Sequence, residues 1–107
     1  MELNITTRHF DGMTDSLRSD IEARVTKLER FFDRLSEVKV VLSEEKHRHL
    51  AEINIHLPGG VRLIAKEEAP DIWAAVDLAI KKIETQVKKV KERRRDNKKR
   101  QSRRVIE

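Results

Sequence analysis

Residues 49–68 read HLAEINIHLPGGVRLIAKEE. Apolar and polar side chains alternate through Ala51, Ile53, Ile55 and Leu57. The alternation halts at Pro58-Gly59-Gly60 and resumes through Val61, Leu63 and Ala65. A period of two puts every second side chain on one face of a strand, and a Pro-Gly-Gly break between two such runs is a tight turn. The stretch predicts an antiparallel hairpin with one apolar face. Something else in the chain must cover that face.

The cover lies on both sides. Downstream, Pro70 precedes DIWAAVDLAIKKIETQVKKVK, where Ile72, Val76, Ile80, Ile83, Val87 and Val90 recur at three and four residues. That spacing is one stripe of a long helix, with Asp71 placed to cap it. Upstream, EVKVVLSEEK (37–46) alternates through Val38, Val40 and Leu42 and reads as a third strand. Further upstream, Leu17, Ile21, Val25, Leu28, Phe32 and Leu35 mark a core-facing helix of about five turns. Thr14 is its N-cap and Asp15 complements its dipole. ELNIT (2–6) is a short strand, and TRHFDGM is a loop broken by Gly12. The order is β-α-β-β-β-α. The expected fold is α+β, a two-layer sandwich with a four-stranded sheet and two helices on one face. The first crossover is right-handed if the strands it joins are parallel.

Length fits one domain, since the chain has 107 residues. Charged residues make up 40% and aromatics 4%, but the apolar residues are periodic, so the chain is expected to fold. There is no cysteine, hence no disulfide and no thiolate metal site. No apolar run approaches a transmembrane span, and the N-terminus lacks a signal-peptide pattern, so a cytoplasmic location is expected.

Charge is segregated along the chain. Residues 81–107 carry 13 Lys/Arg against 4 Asp/Glu, a net of +9, while the first 80 carry 11 against 15, a net of −4. A basic block of this kind meets a polyanion. Past about Arg95 the apolar stripe is lost. Residues 1–95 are therefore expected to form the domain, and 96–107 a disordered basic tail. On the first helix Arg24, Lys27, Arg30 and Arg34 share one flank of the stripe, and Glu22, Glu29 and Asp33 the other. On the second, Lys82, Gln86, Lys89 and Arg93 share a flank, with Lys81, Lys88 and Arg95 on the outer face. Flanks of one sign suit a phosphate backbone, and side by side the two cationic flanks could merge into one patch. No apolar face is left over for a membrane.

Chemistry beyond binding has little support. His47 and His49 in KHRH share a strand face, but no carboxylate or cysteine pattern completes a metal site, so a solvated hairpin turn is expected. Trp73, in the first turn of the last helix, is expected to pack at the core edge. Gly59-Gly60 leads into a strand, unlike a phosphate-cradling loop. No catalytic constellation is present, so an enzyme is not expected, and no cofactor or metal is either.

The segments LNIT, KLERFFDRL, VVLSEEK, the GG turn and DIWAAVDLAIKKIETQVKK, in this order, resemble the bacterial ribosome hibernation promoting factors, the family that includes ribosome-associated inhibitor A, or protein Y. The resemblance covers about residues 1–92 and is to the short form. It implies the fold already derived, similar in shape to a double-stranded RNA-binding domain. It implies binding to the small ribosomal subunit and its rRNA, in the mRNA/tRNA channel near the decoding centre. Translation would be inhibited under stress or in stationary phase. A second hibernation factor is an implied partner, and the protein would be a monomer off the ribosome. The implied rRNA contacts are Arg18, Arg24, Lys27 and Arg34 on the first helix and Lys82, Gln86 and Lys89 on the second; Arg30 and Arg93 join them from the flank pattern. Thr85 departs from the pattern, because some relatives have arginine there. The alternative is a regulatory module acting on structured RNA off the ribosome. Its mark would be a basic start to the last helix, but that start reads EEAPDIW.

Overall fold

The computed structural model describes residues 2–30 and 37–106, with side chains as far as Arg93. The elements are β1 (Glu2–Arg8), α1 (Asp15–Leu28), β2 (Glu37–Glu45), β3 (Arg48–His56), β4 (Arg62–Ala69) and α2 (Ile72–Ile106). They form one sheet in the order β1-β2-β3-β4. β1 is parallel to β2, and the other neighbours are antiparallel. A parallel pair needs a crossover, and α1 supplies it. This is the α+β, β-α-β-β-β-α arrangement expected from the sequence.

Local chemistry sets the element ends. The Thr14 hydroxyl accepts the Leu17 N–H at 3.1 Å, which starts α1. The Asp71 carboxylate accepts the Trp73 N–H at 2.8 Å, which starts α2. Each satisfies an N–H that has no partner inside its helix. The β3–β4 turn is closed by the Leu57 N–H donating to the Val61 carbonyl at 2.8 Å. Gly59 and Gly60 sit there at φ 88° and 79°, where a Cβ would be strained. The β2–β3 turn puts Lys46 and His47 at φ 46° and 67°, a left-handed pair that usually calls for Asn-Gly.

The alternating residues of the strands meet in register. Val38 pairs with Ile55 and Ile55 with Leu63; Val40 pairs with Ile53 and Ile53 with Ala65. Leu17, Ile21, Val25 and Leu28 of α1 and Val76, Ile80, Ile83 and Val87 of α2 close over them in one core. Ala75 and Ala79, both fully buried, keep the helix surface low where α2 meets the sheet. The described part of α1 ends at Leu28 with Glu29 as its C-cap, so Phe32 and Leu35 of the expected stripe lie outside the described residues.

The last helix, α2, has the bounds Ile72–Ile106. Residues 91–106 contain no Pro or Gly to end the helix.

Candidate nucleic-acid interface

α1 and α2 lie side by side, and their facing flanks form a groove of about 520 Å³. Arg24, Lys27 and Arg30 line it from α1; Asp77, Lys81 and Glu84 line it from α2. Asp77 is the hub. Its carboxylate accepts Arg24 Nη1 at 2.7 Å on one oxygen and lies 2.9 Å from Lys81 Nζ on the other. Arg24 Nε also lies 3.1 Å from an Asp20 oxygen, near enough for charge pairing though not aligned as a hydrogen bond. The hydrogen bond from Arg24, then that from Lys81, holds the Asp77 carboxyl below its ordinary pKa. Asp77 in turn raises Arg24, against a smaller opposing effect of burial. Lys27 and Arg30 are exposed and make no ion pair with another described residue.

The second cationic flank lies elsewhere. Lys82 reaches Glu67 of β4 at 3.2 Å, and the Gln86 amide donates to the Ile64 carbonyl at 3.0 Å. This side of α2 therefore faces the outer edge of β4, away from α1. The two flanks do not merge in the groove, because α2 stands between them. They share only the solvent side of the helix layer, where Lys89 and Arg93 are exposed and make no ion pair with another described residue. Arg18 is exposed on α1, one turn from Glu22 and on the side away from the groove. Arg34 lies outside the described residues.

The sequence reading put Lys81 on the outer face and gave Asp77 no role. The signals were present: Asp20–Arg24 and Asp77–Lys81 are both acid-to-base pairs four residues apart on a helix. What joins them, the contact between α1 and α2, has no local signature.

Other singled-out residues settle into structural places. Trp73 is 45% exposed, so it is not packed away at the core edge. His49 is not a solvated turn residue: its Nδ1 lies 3.0 Å from the Pro70 carbonyl, and its ring meets Phe10 edge-on at 5.8 Å between centroids. Among the described residues, no three His, Cys, Asp or Glu side chains cluster as metal ligands would. No helix there is long and apolar enough to cross a membrane.

Known proteins match this chain over nearly all of the sandwich. It is 39% identical over 93 residues to the ribosome hibernation promoting factor of Escherichia coli strain K12, covering 87% of this chain and 96% of that protein. It is 37% identical over 93 residues to the factor of the same name from Azotobacter vinelandii, covering 87% and 85%. Among solved structures, the Thermus thermophilus Protein Y N-terminal domain superposes with a TM-score of 0.75 at 36% identity, covering 84% of this chain and 99% of that one. A ribosomal subunit interface protein from Coxiella burnetii superposes with a TM-score of 0.79 at 27% identity, covering 86% and 99%. Residues 3–95 match the family described as sigma 54 modulation protein / S30EA ribosomal protein, and the chain belongs to that family.

Proposed function

We propose that this chain is a ribosome hibernation factor. It binds rRNA of the small ribosomal subunit in the mRNA/tRNA channel near the decoding centre and keeps idle ribosomes inactive under stress or in stationary phase. The observation that carries this reading is the match through residues 3–95, with more than a third of positions identical to factors of that name.

The charge pattern supports it. Lys27 and Arg30 on one side of the helix layer, and Lys89 and Arg93 on the other, leave cations open to a phosphate backbone. Arg24, Lys82 and Gln86 are held by partners of their own and serve as a second rank, released only where a phosphate competes. Arg18 and Arg34 belong to the same proposed contact set. The action is occupancy, not chemistry, and the place of action is the cytoplasm, on the ribosome. The acidic approach to α2, Glu67 and Glu68 at the end of β4 and the capping Asp71, argues against a duplex-RNA regulator acting off the ribosome.

The test is sedimentation of the protein with separated ribosomal subunits over a salt series, followed by in-vitro translation. Co-sedimentation with the small subunit should weaken steeply with salt, because each neutralised phosphate releases counterions. Inhibition should be stoichiometric with ribosomes and should weaken when mRNA and initiator tRNA are bound first. Inhibition at strongly substoichiometric levels, or cleaved rRNA, would overturn it.

A further inference from the structure

Trp73 is the only tryptophan of a chain that has no tyrosine, and it stands 45% exposed in the first turn of α2. Phe10, the other Phe or Trp among the described residues, is buried in the core. The main-chain N–H of Trp73 is held by the Asp71 carboxylate at 2.8 Å, so the exposed ring springs from a pinned turn. An indole gives about 150–250 Å² of contact when fully covered, and the sandwich leaves nearly half of this one to water.

Its place on the helix ties it to the groove. Asp77 and Glu84 line the groove from α2, and at 100° per residue Trp73 falls within about 40° of both. The ring therefore stands one turn before the groove begins at Asp77. Lys81 follows about 12 Å further along the axis, with Lys27 and Arg30 across from it on α1. The neighbourhood selects the partner. A protein would set such an anchor among further apolar contacts, but Leu78, the other exposed large apolar residue of α2, is turned about 140° away, and Val61 and Ile64 belong to the β4 side. An anionic membrane surface is repelled by Asp71 and Asp77, two residues before the ring and four after it. An unpaired nucleobase fits: it has a flat face for the indole, amino groups for the carboxylates and a phosphate chain for the cations. We propose that Trp73 is a stacking platform for one unpaired RNA base, whose strand runs on into the α1–α2 groove towards Lys81, Lys27 and Arg30. The proposal rests on the reading of the chain as an rRNA-binding protein and adds that the RNA is single-stranded at this point.

The ring and the cations contribute in ways that salt separates. Cations that neutralise phosphates release counterions, so their share of the affinity falls as salt rises. Stacking releases none, and it tolerates any base because every base has a π-face. Removing the ring should lower affinity at every salt concentration by one factor. Removing Lys27 should instead flatten the salt slope.

A single tryptophan makes the test direct, because all indole emission comes from Trp73. The probes are a mixed-sequence single-stranded oligoribonucleotide, the duplex of the same strand, inorganic polyphosphate and isolated small subunits. The full chain is titrated with each across a salt series, beside Trp73→Ala and Trp73→Phe, with melting curves of all three. Wild-type emission should be quenched by the single strand and by the subunits, and little by the duplex or the polyphosphate. Trp73→Ala should bind the single strand about tenfold more weakly with an unchanged salt slope, and Trp73→Phe, which keeps a ring, about threefold more weakly or less. If Trp73→Ala fails to fold, the wild-type quenching and Trp73→Phe decide. Emission that the single strand leaves unchanged would overturn the proposal. So would wild-type affinity in Trp73→Ala, or equal quenching by polyphosphate. Quenching by the subunit's proteins freed of rRNA, with none by the single strand, would assign the ring to a protein partner and also overturn it. Subunit binding that leaves emission unchanged and is undiminished in Trp73→Ala would sink this inference alone. Quenching by the single strand with no binding to subunits would sink the hibernation reading alone.

Discussion

The side-chain amide of Gln86 donates to the main-chain carbonyl of Ile64, 3.0 Å away, across the open edge of β4. An edge strand exposes unpaired main-chain groups that invite another strand. Lys82, four residues earlier, adds an ion pair to Glu67 on the same strand. Together they strap α2 over the edge. Gln86→Leu should therefore lower stability by about 0.5–1.5 kcal/mol, the net worth of one hydrogen bond, and raise self-association with concentration. Urea melts and sedimentation velocity read the two effects; unchanged behaviour in both would remove the strap.

Asp77 ties the two helices through Arg24 and Lys81. Arg24 first, then Lys81, lowers its folded-state pKa from the ordinary value of 3.8. The fold therefore favours the charged carboxylate. Its contribution is present above the unfolded value and is lost as pH falls through the lower folded one. Asp77→Asn should melt below wild type at neutral pH, and the gap should close on acidification below about pH 3.8. Added salt should shrink the gap, since Arg24 and Asp77 are each about a third exposed and Lys81 more so. A gap that is constant with pH would mean the loss is one of shape.

Gly12 lies against Phe10. A Cβ placed on Gly12 would stand 2.6 Å from two ring carbons, inside contact distance, and the ring is itself buried. Gly12→Ala should push the ring out of its site and cost about 1–3 kcal/mol, the usual penalty of overpacking. Gly12→Ala in a Phe10→Leu background should cost less. Equal costs in both backgrounds would clear Phe10 of the clash.

Binding and folding should separate by position along α2. Lys89, with Lys27 on α1, is exposed and makes no ion pair with another described residue. Lys27→Glu with Lys89→Glu should abolish co-sedimentation with the small subunit while the melting curve stays within about 0.5 kcal/mol per site. Ile83, fully buried six residues before Lys89, should behave in the opposite way. Ile83→Ala should cost about 2–5 kcal/mol. Retained ribosome binding by the double charge reversal would refute this surface.

The elements themselves were legible from local pattern. Alternation marked β2, β3 and β4, and a spacing of three and four residues marked α1 and α2. Thr14 and Asp71 announced the helix starts they cap. Strand ends moved by one or two residues. The described part of α1 stops at Leu28, and the rest of its expected stripe, Phe32 and Leu35, lies outside the described residues.

The sequence by itself determined which residues are buried, which are cationic and which lie on the same side of one helix, because these depend on neighbours a few residues apart. Tertiary structure alone decided what each cationic flank faces. Arg24 meets Asp77 across 53 residues, and Gln86 meets Ile64 across 22. Helical periodicity places a residue at an angle about its own axis and says nothing of the neighbour that stands there. The packing of α2 between α1 and the edge of β4 supplies that neighbour, and so sends one flank into a groove and the other onto a strand.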